Sequence, residues 1–213
     1  VVMMEATELS KTTSELIEGM QYGKGLTNSH FITKTETRVA ELNNPLVLLI
    51  ESPVENVRKI QNILEHAIKN NKALLIIADL DPKVISTLAM NKIKNIVKVN
   101  VINAPTYGIT KKDMLTDLAL LTGATIINED LGDDMDMILP EHLGTCLKSI
   151  TNDTETIFKF EHITDEVADI IATIKEDLNK SNTAPEVIRL EKRLARLSAK
   201  IATVKVGADS SIE

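Results

Sequence analysis

Leu46-Val47-Leu48-Leu49-Ile50-Glu51-Ser52-Pro53-Val54-Glu55 decides the fold: a short β-rich apolar run followed at once by helix-start signals. Ser52 and Glu55 match a capping box and Pro53 fits the first helical position, so the spacing predicts a helix from about Pro53 to Asn70. The same grammar repeats downstream. Leu74–Ala78 leads to Asp81-Pro82, which opens a second helix ending near Lys94-Asn95, and Val97–Ile102 leads to a third helix that starts after Thr110 and closes at Gly123. A fourth run, Ala124–Ile127, follows. Strands alternating with crossover helices imply βαβ units around a largely parallel sheet, an α/β fold.

Beyond residue 140 the texture changes. Thr145–Ile150 and Glu155–Glu161 read as a β-hairpin around Thr151-Asn152-Asp153. Val167, Ile170, Ile171, Ile174 and Leu178, then Val187, Leu190, Leu194, Leu197 and Ile201, hold helical spacing on either side of Ser181–Pro185. An antiparallel helical hairpin is predicted, followed by a strand over Ile201–Val206 that ends at Gly207. There is no internal repeat and no low-complexity linker.

The composition narrows the function classes. In 213 residues, 43% are hydrophobic, 26% charged and the net charge is −7. With a mean hydropathy of zero and a pI near 5.2, this describes a soluble globular chain without the basic surface that gripping phosphates requires. The apolar runs fall far short of the roughly 20 residues that span a bilayer. Val1-Val2-Met3-Met4 gives way to Glu5 and Glu8 without the pattern of a secretory signal. A single cysteine, Cys146, precludes an internal disulfide and a Cys-based zinc site and fits a reducing compartment. Five aromatics (Tyr22, Phe31, Tyr107, Phe158, Phe160) leave core filling to aliphatic side chains and offer no stacking platform for bases.

Two predicted helices carry wider apolar stripes than one sheet needs. At 100° per residue, Val54, Val57, Ile60, Ile63, Leu64, Ala67 and Ile68 cover an arc of about 180°, against the usual core stripe of about 100°. Val84, Ile85, Leu88, Ala89, Met90 and Ile93 spread similarly. Two readings fit: both helices are buried all round, or each leaves an apolar edge open, Val57 and Leu64 on one and Ile85, Ala89 and Met90 on the other. In the second case the edges form a groove suited to other polypeptides, with a flexible Met adapting to many of them.

Signs of catalysis are sparse. Gly23-Lys24-Gly25 lacks the spacing of a phosphate loop and reads as a turn. The acidic run Glu129, Asp130, Asp133, Asp134 and Asp136 departs from calcium-loop spacing and reads as a solvated loop. His30, His66, His142 and His162 fall on separate elements, and Cys146 reads as a small hydrophobe within a strand. The alternative with chemistry is a doubly wound phosphoacceptor or metal-carboxylate signalling module, with Asp79 (beside Asp81) as acceptor and Thr106 and Lys111 assisting.

Several separate motifs in register point to a family. Glu18-Gly19-Met20-Gln21-Tyr22 with Gly25 and Phe31, then Leu74–Ala78, Ile96-Val97-Lys98-Val99, Ala104-Pro105, Leu121-Thr122-Gly123 and Val204-Lys205-Val206-Gly207 closely resemble the apical domain of group I (GroEL-type) chaperonins, with one short deletion near Asp79–Pro82. The resemblance implies a partial intermediate-domain segment over 1–18, the apical domain over 19–201 and a return segment over 202–213. It implies a groove between two helices that captures non-native polypeptide and, alternately, the ring-shaped co-chaperonin.

By matching position, the groove residues are Leu26, His30, Phe31, Gln61, Leu64, Ile85, Ala89 and Met90. Leu26 and His30 stand where the family usually has tyrosines and Gln61 where it has leucine, so a more polar, less aromatic groove is expected. A satisfied loop histidine and a core phenylalanine are the plain readings of His30 and Phe31. The family's pivot maps to Gly19 on one strand and to Ala199-Lys200 on the other, where the family has glycines; a stiffer or shifted hinge is expected. The short Ala78–Pro82 connection has no room for a built-in lid, so a separate one is implied. The resemblance further implies an excised part of an ATP-hydrolysing homo-oligomeric ring, found in the bacterial cytoplasm or an organelle matrix. ATP and Mg belong to regions of the parent outside this chain, which holds no catalytic residue, cofactor or metal of its own.

Overall fold

The structure is a computed structural model and describes residues 12–106, 108–129 and 138–206. Residues 1–11, Tyr107, most of the acidic run (Asp130, Asp133, Asp134, Asp136) and the segment from Gly207 onward lie outside the described residues.

Two five-stranded assemblies organise the chain, one antiparallel and one mostly parallel. In the first, β1 (Thr12–Tyr22) lies between β10 (Lys200–Val206) and β9 (Thr156–Lys159), and β8 (Lys148–Thr151) and β2 (Ala40–Asn43) complete the order β10-β1-β9-β8-β2. β1 changes partner midway: Thr12–Glu18 pair with β10, whereas Gly19–Tyr22 pair with β9. The second has the order β5-β4-β3-β6, built from β3 (Leu46–Ile50), β4 (Leu74–Ile77), β5 (Val99–Ile102) and β6 (Ile126–Ile127), all parallel. β7 (Gly144–Thr145) runs antiparallel along the lower part of β3. A Cβ on Gly144 would lie 2.6 Å from both the Thr122 oxygen and the Ala124 nitrogen, so glycine allows this close crossing.

The α/β expectation holds, but the antiparallel part is larger than the predicted hairpin, because β1, β2 and β10 extend it into a full sheet. β10 matches the strand expected over Ile201–Val206, whereas β1 and β2 escaped pattern reading for a physical reason. β1 carries mixed polar residues, TTSELIEGMQY, and β2 has only four.

The helices are α1 (Gln61–Lys69), α2 (Pro82–Ile93), α3 (Ile109–Thr122), α4 (Asp165–Lys180) and α5 (Ala184–Leu197). The first is half the predicted length. Val54 remains extended and forms a parallel bridge with Leu80, its N–H donating to the Asp79 carbonyl (3.0 Å) and its carbonyl accepting from Asp81 N (2.8 Å). Groups committed to that bridge cannot serve a helix. Buried Ser52 does not cap either; its Oγ accepts from Glu129 N at 3.0 Å. The start falls at Asn56, whose side chain accepts from Arg58 N, and a 3-10 turn over Val57–Ile60 leads into α1.

Elsewhere the end signals work as read. Asp81 caps α2 with Pro82 in the first turn, and Gly123 closes α3 at φ +80°. The helical hairpin is α4 and α5, capped at Thr164.

Alternate residues of the parallel strands face opposite layers. Leu48, Ile50, Leu74 and Ile76 pack with Ile60, Ile63, Leu64 and Ala67 of the first crossover and with Val84, Leu88 and Ala89 of α2. Val47, Leu49, Leu75 and Ile77 pack with Leu118 of α3 and with Met20, Tyr22 and Phe158 of the antiparallel sheet. Cover on both faces explains why these strands read as unbroken apolar runs.

Candidate functional site

In the order β5-β4-β3, with crossovers of the usual right hand, α1 and α2 fall on the same face of the parallel sheet, and both feed the same core cluster. A 3-10 turn, Ser29–Phe31, packs against α2. Asn28 caps this turn by accepting from His30 N at 2.8 Å, and Lys92 Nζ of α2 donates to the Ile32 carbonyl at 2.8 Å. Three chain segments therefore meet here: the turn, α2 and α1.

The eight residues singled out from sequence divide into three groups. Phe31 (0% exposed), Ala89 (3%) and Leu64 (8%) belong to the core, which corrects the placement of Leu64 and Ala89 on an open edge and makes Phe31 the core phenylalanine of its plain reading rather than a groove residue. The reason is geometric: the turn carrying Phe31 sits against α2, and Leu64 packs with Leu48, Ile50, Leu74 and Ile76 of the parallel sheet. Leu26 and Ile85 are half-buried, packed on the margin of the same core, as is Val57. His30, Gln61 and Met90 are exposed. Gln61 Nε2 donates to Glu65 Oε1 at 3.3 Å, one helical turn along α1.

Sequence reading understated the helix ends. Met90 (51% exposed) is joined by Ile93 (47%) and Ile96 (49%) along and just past α2, and by Ile68 (44%) on α1. Gln61, Leu64 and Ile68 fall at intervals of three and four on one edge of α1, and Val57 stands in the 3-10 turn before it. The signal for Ile68 and Ile93 was present in the wide stripes. Exposed aliphatic side chains at the C-terminal ends of both helices, Ile68 on α1 and Met90 and Ile93 on α2 with Ile96 just beyond, make up the candidate row, while Phe31, Leu64 and Ala89 lie in the core that both helices share.

The positions expected to form a hinge lie where β1 changes partner. Gly19 N donates to the Ala199 carbonyl at 3.2 Å, and Lys200 pairs with Glu18. A Cβ on Gly19 would fall 2.7 Å from the Phe158 oxygen and into Ile201, so close packing alone demands glycine here. Both strands of the junction are thereby in direct contact.

The residues of the alternative reading are spread among other tasks. Asp79 Oδ1 accepts from Ala104 N at 3.2 Å, while Lys111 Nζ reaches the Glu51 carbonyl at 3.4 Å. Thr106 is exposed. Burial, reinforced by the Asp79 charge, drives the Tyr22 hydroxyl far above its ordinary range, and it donates to the Asn103 carbonyl at 2.7 Å. Burial likewise pushes the Cys146 thiol up to about 12, which leaves it a poor nucleophile.

His142 Nδ1 accepts from Leu139 N, and His66 Nδ1 lies 3.2 Å from Asn70 Nδ2. Among the described residues, no group of three or more His, Cys, Asp or Glu could hold a metal ion. Nor is any described helix long and apolar enough to cross a membrane. No known family model matches the chain.

Proposed function

We propose that this chain is the polypeptide-binding apical domain of a group I chaperonin. The observation that carries this reading is the exposure of Ile68, Met90, Ile93 and Ile96 on and just beyond two helices that share one packed core, with Val57, Ile85 and Leu26 half-buried at the margin of that core. Rigid backing with flexible aliphatic tips suits a surface that must accept many sequences, since hydrophobic contact is non-directional. The motifs in register from Glu18 to Gly207 support the same assignment.

In this reading, non-native segments lay their apolar side chains along the row and the mobile part of a ring-shaped co-chaperonin competes for it. Covering 200–300 Å² of apolar area yields roughly 5–7 kcal/mol gross at about 25 cal/mol per Å². Association and ordering subtract from this, so a single domain binds in the micromolar range or more weakly, and a homo-oligomeric ring gains by engaging one client at several rows. ATP and Mg act elsewhere in the parent protein, turning this domain about the Gly19 and Ala199-Lys200 junction. The parent works in a bacterial cytoplasm or organelle matrix.

The burial pattern selects the test. Leu64→Glu would force a charge into the core, whereas Met90→Glu and Ile93→Glu place it in water. The double variant Met90→Glu/Ile93→Glu is expected to keep the wild-type melting curve and lose binding to an unfolded client, followed by fluorescence anisotropy. Undiminished binding would sink the proposal. The phosphoacceptor alternative has less support, because Lys111 is directed to Glu51 rather than to Asp79. Incubation with acetyl phosphate and intact-mass measurement is expected to leave Asp79 unmodified.

A further inference from the structure

A directional relay of buried hydrogen bonds runs from the parallel sheet to the segment that carries Phe31. Asn100 of β5, Thr151 of β8 and Thr156 of β9 are each fully buried. Asn100 Nδ2 lies 3.0 Å from Thr151 Oγ1, Thr151 Oγ1 lies 3.0 Å from Thr156 Oγ1, and Thr156 Oγ1 lies 2.8 Å from the Lys24 carbonyl oxygen. The two threonines are cross-strand partners, so the β8–β9 hairpin holds their spacing.

Proton counting fixes the direction. A carbonyl only accepts, so Thr156 spends its single hydroxyl proton on Lys24. Thr156 must then accept from Thr151, whose own proton is thereby used, and Thr151 must accept from the Asn100 amide. Turning the Asn100 amide over would present oxygen to an oxygen with no proton between them. The Asn100 Oδ1 meets no donor among the described residues, so the bond to Thr151 is what orients this amide.

The relay ends where the chain leaves β1 for the 3-10 turn. Around Lys24 the segment is pressed hard against its neighbours: a Cβ on Gly25 would lie 2.3 Å from the Asp153 backbone. Leu26 N donates to the Asn152 carbonyl and Thr27 Oγ1 to the Val101 carbonyl, each at 2.9 Å. Four residues later Phe31 enters the core against α2.

We propose that Thr156, oriented from Asn100 through Thr151, is a positioning residue that fixes where segment 24–31 lies against α2 and so sets the depth of the aliphatic row, a role that rests on the peptide-binding reading above. The test measures backbone amide exchange at Leu26 and Phe31 by NMR, with the affinity for a synthetic amphipathic peptide of alternating Leu and Lys. Thr156→Val, nearly isosteric, is expected to speed exchange about tenfold and to weaken the peptide at least threefold. Thr156→Ser, which keeps the hydroxyl, restores both. Adding Asn100→Leu to Thr156→Val brings no further change in exchange, because the relay is already cut.

Unchanged exchange in Thr156→Val, or purely additive effects in the double variant, overturns the proposal. Should Thr156→Val fail to fold, Thr151→Val cuts the relay one bond earlier, with about a threefold rise in exchange expected and none overturning it. A wild-type chain that ignores the peptide while exchange responds as expected overturns the groove reading and the functional half of this proposal, and upholds the pinning of the segment.

Discussion

α2 and α5 are amphipathic helices of similar length, 12 and 14 residues, yet they finish their outer edges in opposite ways. α5 docks on α3 through directed ion pairs: Arg189 grips Asp113 with two hydrogen bonds of 2.7 and 3.2 Å, and Arg193 and Arg196 converge on the fully buried carboxylate of Asp117. α2 leaves Met90 and Ile93 about half exposed, and these side chains carry no group that could make an ion pair. Geometry-dependent charge pairs select one neighbour, and aliphatic tips accept any apolar one. One helix is committed to this fold; the other leaves an apolar edge in water, as the proposed function requires.

The sharpest way to break this contrast is to remove its most buried charge. Asp117→Ala leaves Arg193 and Arg196 facing each other uncompensated and is expected to destabilise by about 3–5 kcal/mol in urea titration, releasing the helical hairpin first. A similar loss, about 3–5 kcal/mol, is expected for Phe31→Ala, because that ring fills the core that both helices of the row share. Met90→Glu should move stability by less than about 0.5 kcal/mol while abolishing client binding. A large loss there would mean that the α2 edge is structural after all.

Two smaller effects sharpen the picture away from the helices. With its thiol pushed up to about 12, Cys146 should resist alkylation by iodoacetamide at pH 8 in the folded chain and react promptly in urea. Glu41 is subject to opposing influences: burial raises its pKa, but hydrogen bonds and attraction from Lys34 and Lys148 outweigh this and hold it below the usual carboxylate range. A depressed folded value contributes stability above the ordinary pKa of about 4.3 and forfeits it as pH falls through the folded one. Glu41→Gln should therefore flatten that acid limb of the stability curve slightly.

The parallel sheet was legible in sequence because fully buried strands give unbroken apolar runs and because Asp81-Pro82 and Gly123 punctuate them. The Ser52–Glu55 capping box misled, since local chemistry there lost to the Val54–Leu80 bridge, a contact 26 residues apart in sequence that no local pattern encodes. The candidate site was half legible. Stripe width announced that apolar residues exceeded what one sheet requires, but which of them stay wet depended on the turn carrying Phe31. That turn is placed by pairing partners far along the chain, Asn152 and Thr156 among them, and periodicity cannot report them.

β1 belongs to two pairings at once, to β10 below Glu18 and to β9 above Gly19. A tug on the far end of the two-stranded ribbon thus reaches the sheet as tension along covalent bonds, with no side-chain friction to slip. The ribbon behaves like a tendon inserted into the antiparallel sheet, where Met20 and Tyr22 of the same strand are anchored in the core shared with the parallel sheet.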